Sequence, residues 1–252
     1  MFRPRVIPTL LLKNLGLVKT VKFKKPNYIG DPINAVKIFN DLKADELILL
    51  DISATRQNRS ISQKFVQEVG GEAFMPFAVG GGISTIDEAG NCINCGSEKI
   101  VLDSHAVMNP DLITQCAEKF GSQSVIVSLD VKKNFFGEYC LYIKNGRKKT
   151  KYNPLTWAII VSELGAGEIL INNIDNDGIM SGYDLDLIKL ISKSVNIPVI
   201  ASGGAGEYAD FKLAIDAGAH AVAAGSLFVY QGPRKGVLIN YPIASDLMKI
   251  FS

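Results

Sequence analysis

Two stretches of this chain end in glycine clusters at matching places: Pro76-Phe-Ala-Val-Gly-Gly-Gly82 and, 122 positions on, Pro198-Val-Ile-Ala-Ser-Gly-Gly204. Glycine lets a backbone come close to an anion, and the N-terminus of a following helix offers free N–H groups. The same glycines also suit tight turns, so one cluster alone decides little. Here each is followed by a short hydroxyl-bearing loop, Asp103-Ser104 and Gly225-Ser226. Two phosphate-sized sites are therefore expected. Gly204, Gly225 and Ser226 make one, Gly82 and Ser104 the other, and Asp177 and Gly178 are assigned to the same set. Asp103 weakens the second site by direct repulsion of an anion. The expected ligand is a phosphorylated small molecule.

The repetition also singles out an acid. Val6-Ile-Pro-Thr-Leu-Leu-Leu-Lys13 aligns with Val125-Ile-Val-Ser-Leu-Asp-Val-Lys132 at an offset of 119, which sets Leu11 opposite Asp130. A doubled site would present two carboxylates across its mouth; this one presents a carboxylate and a leucine. Asp130 is the candidate general acid–base. Asp51 and Asp175, each after an apolar run, serve equally well as loop caps. Lys19 either reaches over the mouth to an anion or is simply solvated. Arg5, Glu46, Lys99 and Glu168 stand at the opposite ends of the apolar runs. Charges inside a protein must be paired, so these four are expected to form a ring of ion pairs. That ring is either a structural plug or a gate to the interior.

The elements that must hold these residues are legible as alternation. Strand-like runs fall at Arg5–Leu12, Glu46–Ile52, Phe74–Val79, Lys99–Leu102, Ser124–Val131, Glu168–Asn172, Pro198–Ala201 and His220–Ala224. Each is followed by a helix-period segment, and none alternates polar with apolar, as parallel strands covered on both faces should not. Eight such units predict a (β/α)8 barrel, whose chemistry sits at the C-terminal ends of the strands. Helix starts are predicted at Ser62-Gln-Lys-Phe65, Ser84-Thr-Ile-Asp87, Asn109-Pro110-Asp111 and Tyr183-Asp-Leu-Asp186. Two excursions leave the pattern on that same face: a long lysine-rich loop from Asn14 to Pro32, and a hairpin from Lys132 to Asn153 turning at Asn145-Gly146. A single domain over residues 1–252 is expected, with half-barrel repeats of about 1–122 and 123–252.

Composition excludes other classes. The 252 residues are 47% apolar, enough for one large core, and the net charge is +2. No Lys/Arg cluster is evident along one face, so nucleic acid is not an expected partner. No apolar run suits a membrane span or a leader, and a cytoplasmic location is expected. Cys92-Ile-Asn-Cys95 has no second ligand pair, and the four cysteines are read as helix or hairpin thiols rather than metal or redox groups. No cofactor is expected.

Taken together, Val6-Ile-Pro8, Gly30-Asp-Pro32, Leu50-Asp51-Ile52, Val79-Gly-Gly-Gly-Ile83, Asp175-Asn-Asp-Gly178, Ser181-Gly-Tyr183 and Ala201-Ser-Gly-Gly-Ala-Gly206 resemble the cyclase subunit family of imidazole glycerol phosphate synthase, HisF. The resemblance covers nearly the whole chain. It implies ammonia delivered by a glutaminase docked under the barrel, passing a charged gate at Arg5, Glu46, Lys99 and Glu168. It implies phosphate loops at Gly82, Gly204 and Ser226, a mobile-loop lysine at Lys19 and a catalytic Asp130. The family's second catalytic aspartate falls at Leu11, and Val101, Asp103 and Asn172 replace small polar groups. Ile7-Pro-Thr-Leu-Leu-Leu-Lys13 and Leu17-Val-Lys-Thr-Val-Lys-Phe23 are similar to a branch that supplies ammonia to a separate sugar amidotransferase in surface-polysaccharide synthesis. That branch is the leading expectation. An authentic histidine-pathway cyclase and a non-catalytic ammonia conduit are the alternatives.

Overall fold

The computed structural model describes residues 3–232 and 234–251. Met1, Phe2, Pro233 and Ser252 lie outside them. In chain order, β1 (Arg5–Lys13) runs into a hairpin of β2 (Gly16–Val21) and β3 (Lys24–Gly30), then α1 (Pro32–Asp41), β4 (Leu47–Asp51), α2 (Gln63–Glu72), β5 (Phe77–Gly80), α3 (Ile86–Asn94) and β6 (Lys99–Leu102). A short α4 (Ser104–Met108) and α5 (Asp111–Phe120) lead to β7 (Val125–Lys133), a second hairpin of β8 (Tyr139–Ile143) and β9 (Lys148–Lys149), α6 (Pro154–Glu163) and β10 (Glu168–Asn173). The chain continues through α7 (Leu185–Ser192), β11 (Val199–Ser202), α8 (Ala209–Asp216), β12 (Ala221–Ala224), the small pair β13 (Tyr230–Gln231) and β14 (Gly236–Val237), and α9 (Ala244–Phe251).

Eight of these strands are parallel and close into a (β/α)8 barrel in the order β1, β4, β5, β6, β7, β10, β11, β12, with β12 returning to β1. The sequence repeat reappears as register. Thr9 opposite Ile48 matches Ser128 opposite Leu170, and Ile48 opposite Ala78 matches Leu170 opposite Ile200. Likewise Leu102 opposite Val127 matches Ala224 opposite Pro8, across the two seams between the halves. Apolar side chains fill the barrel at mid-height, among them Ile7, Ile48, Ile126, Leu170 and Ile200. A second, larger core lies between strands and helices. Thr85 and Glu88 form a reciprocal capping box on α3, while Ser62 and Asp184 cap α2 and α7 through their side chains.

Four expectations change. The strand predicted at Phe74–Val79 starts at Phe77, because Phe74 is 90% exposed and its N–H donates to Asn40 Oδ1 at 2.9 Å. Asn109 makes no side-chain cap on α5; Pro110 occupies that place and supplies the preset backbone angle alone. The lysine-rich excursion after β1 is a paired β-hairpin rather than an open loop, because Leu17 and Val18 are buried against the barrel and fix its register. Finally, cations do cluster on one face. The two hairpins together hold twelve Lys/Arg and one acid, Glu138, in residues 13–30 and 132–153. They leave from β1 and β7, diametrically opposite strands, so chain separation conceals a single basic rim.

Candidate active site

At the N-terminal end of the barrel the four predicted charges meet. Arg5 bonds Glu46 and, at 2.8 Å, Glu168; Lys99 bonds the same two carboxylates at 3.0 and 3.1 Å. Each cation holds both anions, so the ring is closed. Burial alone would lower the Arg5 pKa, but Glu46 and Glu168 outweigh it and raise it. Glu168 Oε2 is buried and unpartnered. Above the ring lies only the apolar layer of Ile7, Ile48, Ile126, Leu170 and Ile200. An ion brought into that layer would lose its hydration.

At the C-terminal end a cavity opens, lined by Thr9, Leu11, Lys19, Asp103, Asp130 and Asn172 among others. Leu11 faces into it, as the repeat requires. Asp130 is buried, and its Oδ1 accepts a long 3.5 Å contact from Asn172 Nδ2. Burial, and then the charge of Asp103, push Asp130 well above the usual carboxylate range. Burial also pushes Asp103 up to about 6, against a 2.9 Å hydrogen bond from Ser104 Oγ. Asp130 therefore has an acidic neighbour, supplied by the adjacent strand's loop instead of by Leu11. Thr9 Oγ1 and Asn172 Oδ1 are buried here without partners, which leaves the floor with spare acceptors.

The raised carboxyls carry a sign that can be tested. A carboxyl whose folded pKa exceeds its unfolded value stabilises the fold below the unfolded pKa and loses that contribution as pH rises through the folded one. For Asp103 the loss spans about pH 4 to 6 and amounts to up to about 3 kcal/mol. Asp103→Asn should therefore raise stability to urea at pH 8 and leave it unchanged near pH 3.5. A gain of equal size at both pH values would contradict this origin.

The predicted anion-site residues are in place but partly committed. Gly82, Ser104, Gly204, Gly225 and Ser226 all line the cavity. Ser104 Oγ, however, donates to Asp103 and accepts from the Lys144 N–H at 2.9 Å. Gly204 has φ +126°, and a Cβ there would collide with the Gly182 carbonyl, so packing demands this glycine whether or not an anion binds. Asp177 accepts from Thr20 Oγ1 at 3.2 Å and, through its carbonyl, from the Lys22 N–H at 2.9 Å; it latches the first hairpin. Lys19 is buried on β2, donates to the Thr9 carbonyl at 2.6 Å and lies against Gly225. Burial lowers its pKa to about 8, opposed by Asp177. It is thus already seated at the cavity, between the Gly225 loop and β1. Asp51 is used structurally, by Arg59 at 2.7 Å and the Ser53 N–H at 2.8 Å. Asp175 accepts from the Lys133 N–H at 3.2 Å.

Sequence reasoning missed Thr9, Thr20 and Arg59. Thr9 had a signal, since it matches Ser128 in the repeat; Arg59 had none, because it comes from a loop with no counterpart. Burial first pushes the Cys92 thiol up to about 12, as expected of an inert helix thiol. Among the described residues, no His/Cys/Asp/Glu group could hold a metal, and no helix is long and apolar enough to cross a membrane.

The family model described as histidine biosynthesis protein matches residues 5–233. A Pseudomonas aeruginosa protein provisionally named imidazole glycerol phosphate synthase subunit hisF2 is 50% identical over 98% of this chain and 99% of its own length. A Vibrio vulnificus protein provisionally named subunit hisF3 of the same synthase is 47% identical over 99% and 96%. The imidazole glycerol phosphate synthase subunit HisF of Alkaliphilus metalliredigens is 45% identical over 92% of each chain.

Proposed function

The chain belongs to the HisF group of the histidine biosynthesis protein family, and from that membership we propose that it is an ammonia-receiving synthase subunit working with a glutaminase, in the branch that amidinates sugars for surface polysaccharides. One observation carries this reading: a closed ion-pair ring under an apolar barrel interior whose far end opens on an acidic cavity. A plug needs no charge, and apolar residues would fill the same space at less cost. A gate needs pairs that can exchange partners. In this reading the glutaminase docks at the N-terminal face, Arg5 and Lys99 swing to admit ammonia past Glu46 and Glu168, and neutral ammonia crosses the apolar layer. At the mouth, Asp130 accepts the proton released when ammonia attacks an electrophilic carbon. Lys19, with Gly204, Gly225 and Ser226, holds a phosphate of the ligand. Gly82 and Ser104 make the weaker site, since Asp103 stands beside them. The activity fits the cytoplasm.

A second reading, ring closure in histidine biosynthesis, is favoured by one feature: Asp103 gives Asp130 a carboxylate neighbour despite Leu11. The third, a conduit without chemistry, keeps the ring and leaves the floor unused.

The partner is the direct test. A purified glutaminase encoded beside this chain should bind at micromolar concentration or tighter by calorimetry. Hydrogen-exchange protection should appear on the N-terminal face, around the exposed Phe74 and Lys43. Absence of binding, or protection confined to the two hairpins at the other end, would overturn the docking.

A further inference from the structure

Asp51, Asp103, Asp130 and Asp177 all line the cavity, but only two of them have a cation. Asp51 bonds Arg59 at 2.7 Å, and Asp177 lies in the field of Lys19. Lys19 is further held by the Thr9 carbonyl at 2.6 Å. His105 lines the same cavity and feels Glu88 and Lys144 instead. Among the described residues, no lysine, arginine or histidine stands against Asp103 or Asp130. Their neighbours are neutral: Ser104 Oγ on Asp103 at 2.9 Å, and Asn172 Nδ2 on Asp130 at 3.5 Å. Two adjacent carboxyls taken out of water without a counter-ion are costly, and an external cation would relieve that cost.

A second observation comes from the layer just beneath. Strand alternation stacks the inward side chains in a fixed order. On β7 Ile126 is followed by Ser128 and Asp130, and on β1 Ile7 is followed by Thr9 and Leu11. A solute rising from the apolar layer therefore meets two hydroxyls before it meets the acids. Thr9 is only 8% exposed, and its Oγ1 has no hydrogen-bond partner although the residue lines the cavity. A hydroxyl buried this deeply is normally satisfied, so its vacancy points to a polar group that the protein itself does not supply.

We propose that Asp103, Asp130 and the Thr9 hydroxyl form an ammonium-binding site, which holds ammonia at the top of the barrel between its arrival and its use. This station rests on the ammonia-transfer reading above and adds a step to it. Ammonium carries one positive charge and only donors, and carboxylates and a hydroxyl oxygen are acceptors. Among the described residues no group of three metal-ligating side chains exists, so a divalent metal is poorly served here. Burial, and then the charge of Asp103, hold Asp130 well above the usual carboxylate range, so Asp130 meets arriving ammonia as an acid. Its O–H bond breaks and an N–H bond forms, leaving the Asp130 carboxylate beside ammonium. The new charge bars return, because an ion would lose its hydration in the layer of Ile7 and Ile126. When ammonia goes on to its electrophile, the proton passes back to Asp130 and the station is restored.

The test uses the full chain without glutaminase. Sodium chloride is exchanged for ammonium chloride at constant ionic strength and neutral pH, and the side-chain carboxyl carbons are followed by NMR. The Asp103 and Asp130 resonances, assigned with Asp103→Asn and Asp130→Asn, should shift saturably, Asp130 toward its carboxylate position. Those of Asp51 and Asp177 should stay in place. Thr9→Val keeps the side-chain shape, removes the hydroxyl and should weaken the apparent Kd for ammonium about tenfold or more. Asp103→Asn should weaken it at least as much, and it decides the matter if Thr9→Val does not fold. No saturable shift in ammonium chloride would overturn the proposal, as would an equal shift in potassium chloride or unchanged affinity in the folded variants. The ammonia-transfer reading fails by a different result. A chain that holds ammonium but binds no glutaminase keeps the site and loses that reading. A coupled complex whose chain holds no ammonium does the reverse.

Discussion

Supplied with ammonium salt in place of glutamine, the protein should convert the histidine-pathway ribonucleotide at least about a hundredfold more slowly than an ordinary cyclase. The reason is the floor of the cavity. Leu11 occupies one side, pairs with Leu50 of β4 and can transfer no proton. Asp103 does stand near Asp130, but on the loop after the neighbouring strand rather than at the place of Leu11 on β1. Burial raises both, and the charge of Asp103 adds to the rise at Asp130. A general acid and a general base placed on opposite faces each contribute ~10²–10⁴-fold, and one of them is missing here. Leu11→Asp alone would add a third acid to a crowded site. Leu11→Asp with Asp103→Asn restores one carboxylate across the mouth and removes the crowding, and should recover much of the rate. Wild-type turnover within about tenfold of an ordinary cyclase would refute this account and favour the histidine-pathway reading.

Opening the ring should uncouple the two half-reactions. In the complex with its glutaminase, Arg5→Ala or Lys99→Ala should leave glutamine hydrolysis running while most of the ammonia escapes to solvent. Ammonium added from outside should restore product, since the cavity at the other end is untouched. The two variants differ in cost. Lys99 is 16% exposed against 30% for Arg5, and its loss strips a partner from Glu46, which is 3% exposed. Removing one partner from so buried a carboxylate is destabilising even with Arg5 still bridging both glutamates, so urea unfolding of Lys99→Ala must be measured beside its kinetics. Arg5→Ala leaves Lys99 bridging both glutamates and serves as the milder version. Normal coupling in a folded Arg5→Ala protein would make the ring a structural plug.

Residues distant in sequence were legible wherever a repeat or a period carried them. The offset between Pro76 and Pro198 foretold the two glycine loops, and the matched registers show why it could: the same strand alternation sets which side chains face the axis in both halves. Arg5, Glu46, Lys99 and Glu168 were legible as a ring because each stands at the start of an apolar run, and in the fold Arg5, Lys99 and Glu168 open β1, β6 and β10 while Glu46 immediately precedes β4. Leu11 opposite Asp130 followed from the same alignment.

What the repeat does not govern had to wait for the fold. Asn14 to Pro32 looked like open loop because its buried residues, Leu17 and Val18, pack against a barrel wall that exists only once β1 is in place. Whether Lys19 reaches over the mouth or is solvated stays open in the sequence for the same reason, and its bond to the Thr9 carbonyl depends on that hairpin. The acidic pairing of Asp103 with Asp130 needs β6 and β7 to lie side by side. The clustering of cations on the two hairpins was hidden most completely. A net charge of +2 averages over the chain, and no window of sequence contains both hairpins. The sequence by itself determined the barrel, its two-fold plan and the residues at each end. Only closure of the barrel decided which charges become neighbours, because electrostatic coupling depends on distance in space and β1 and β7 meet around the mouth only after the sheet has closed.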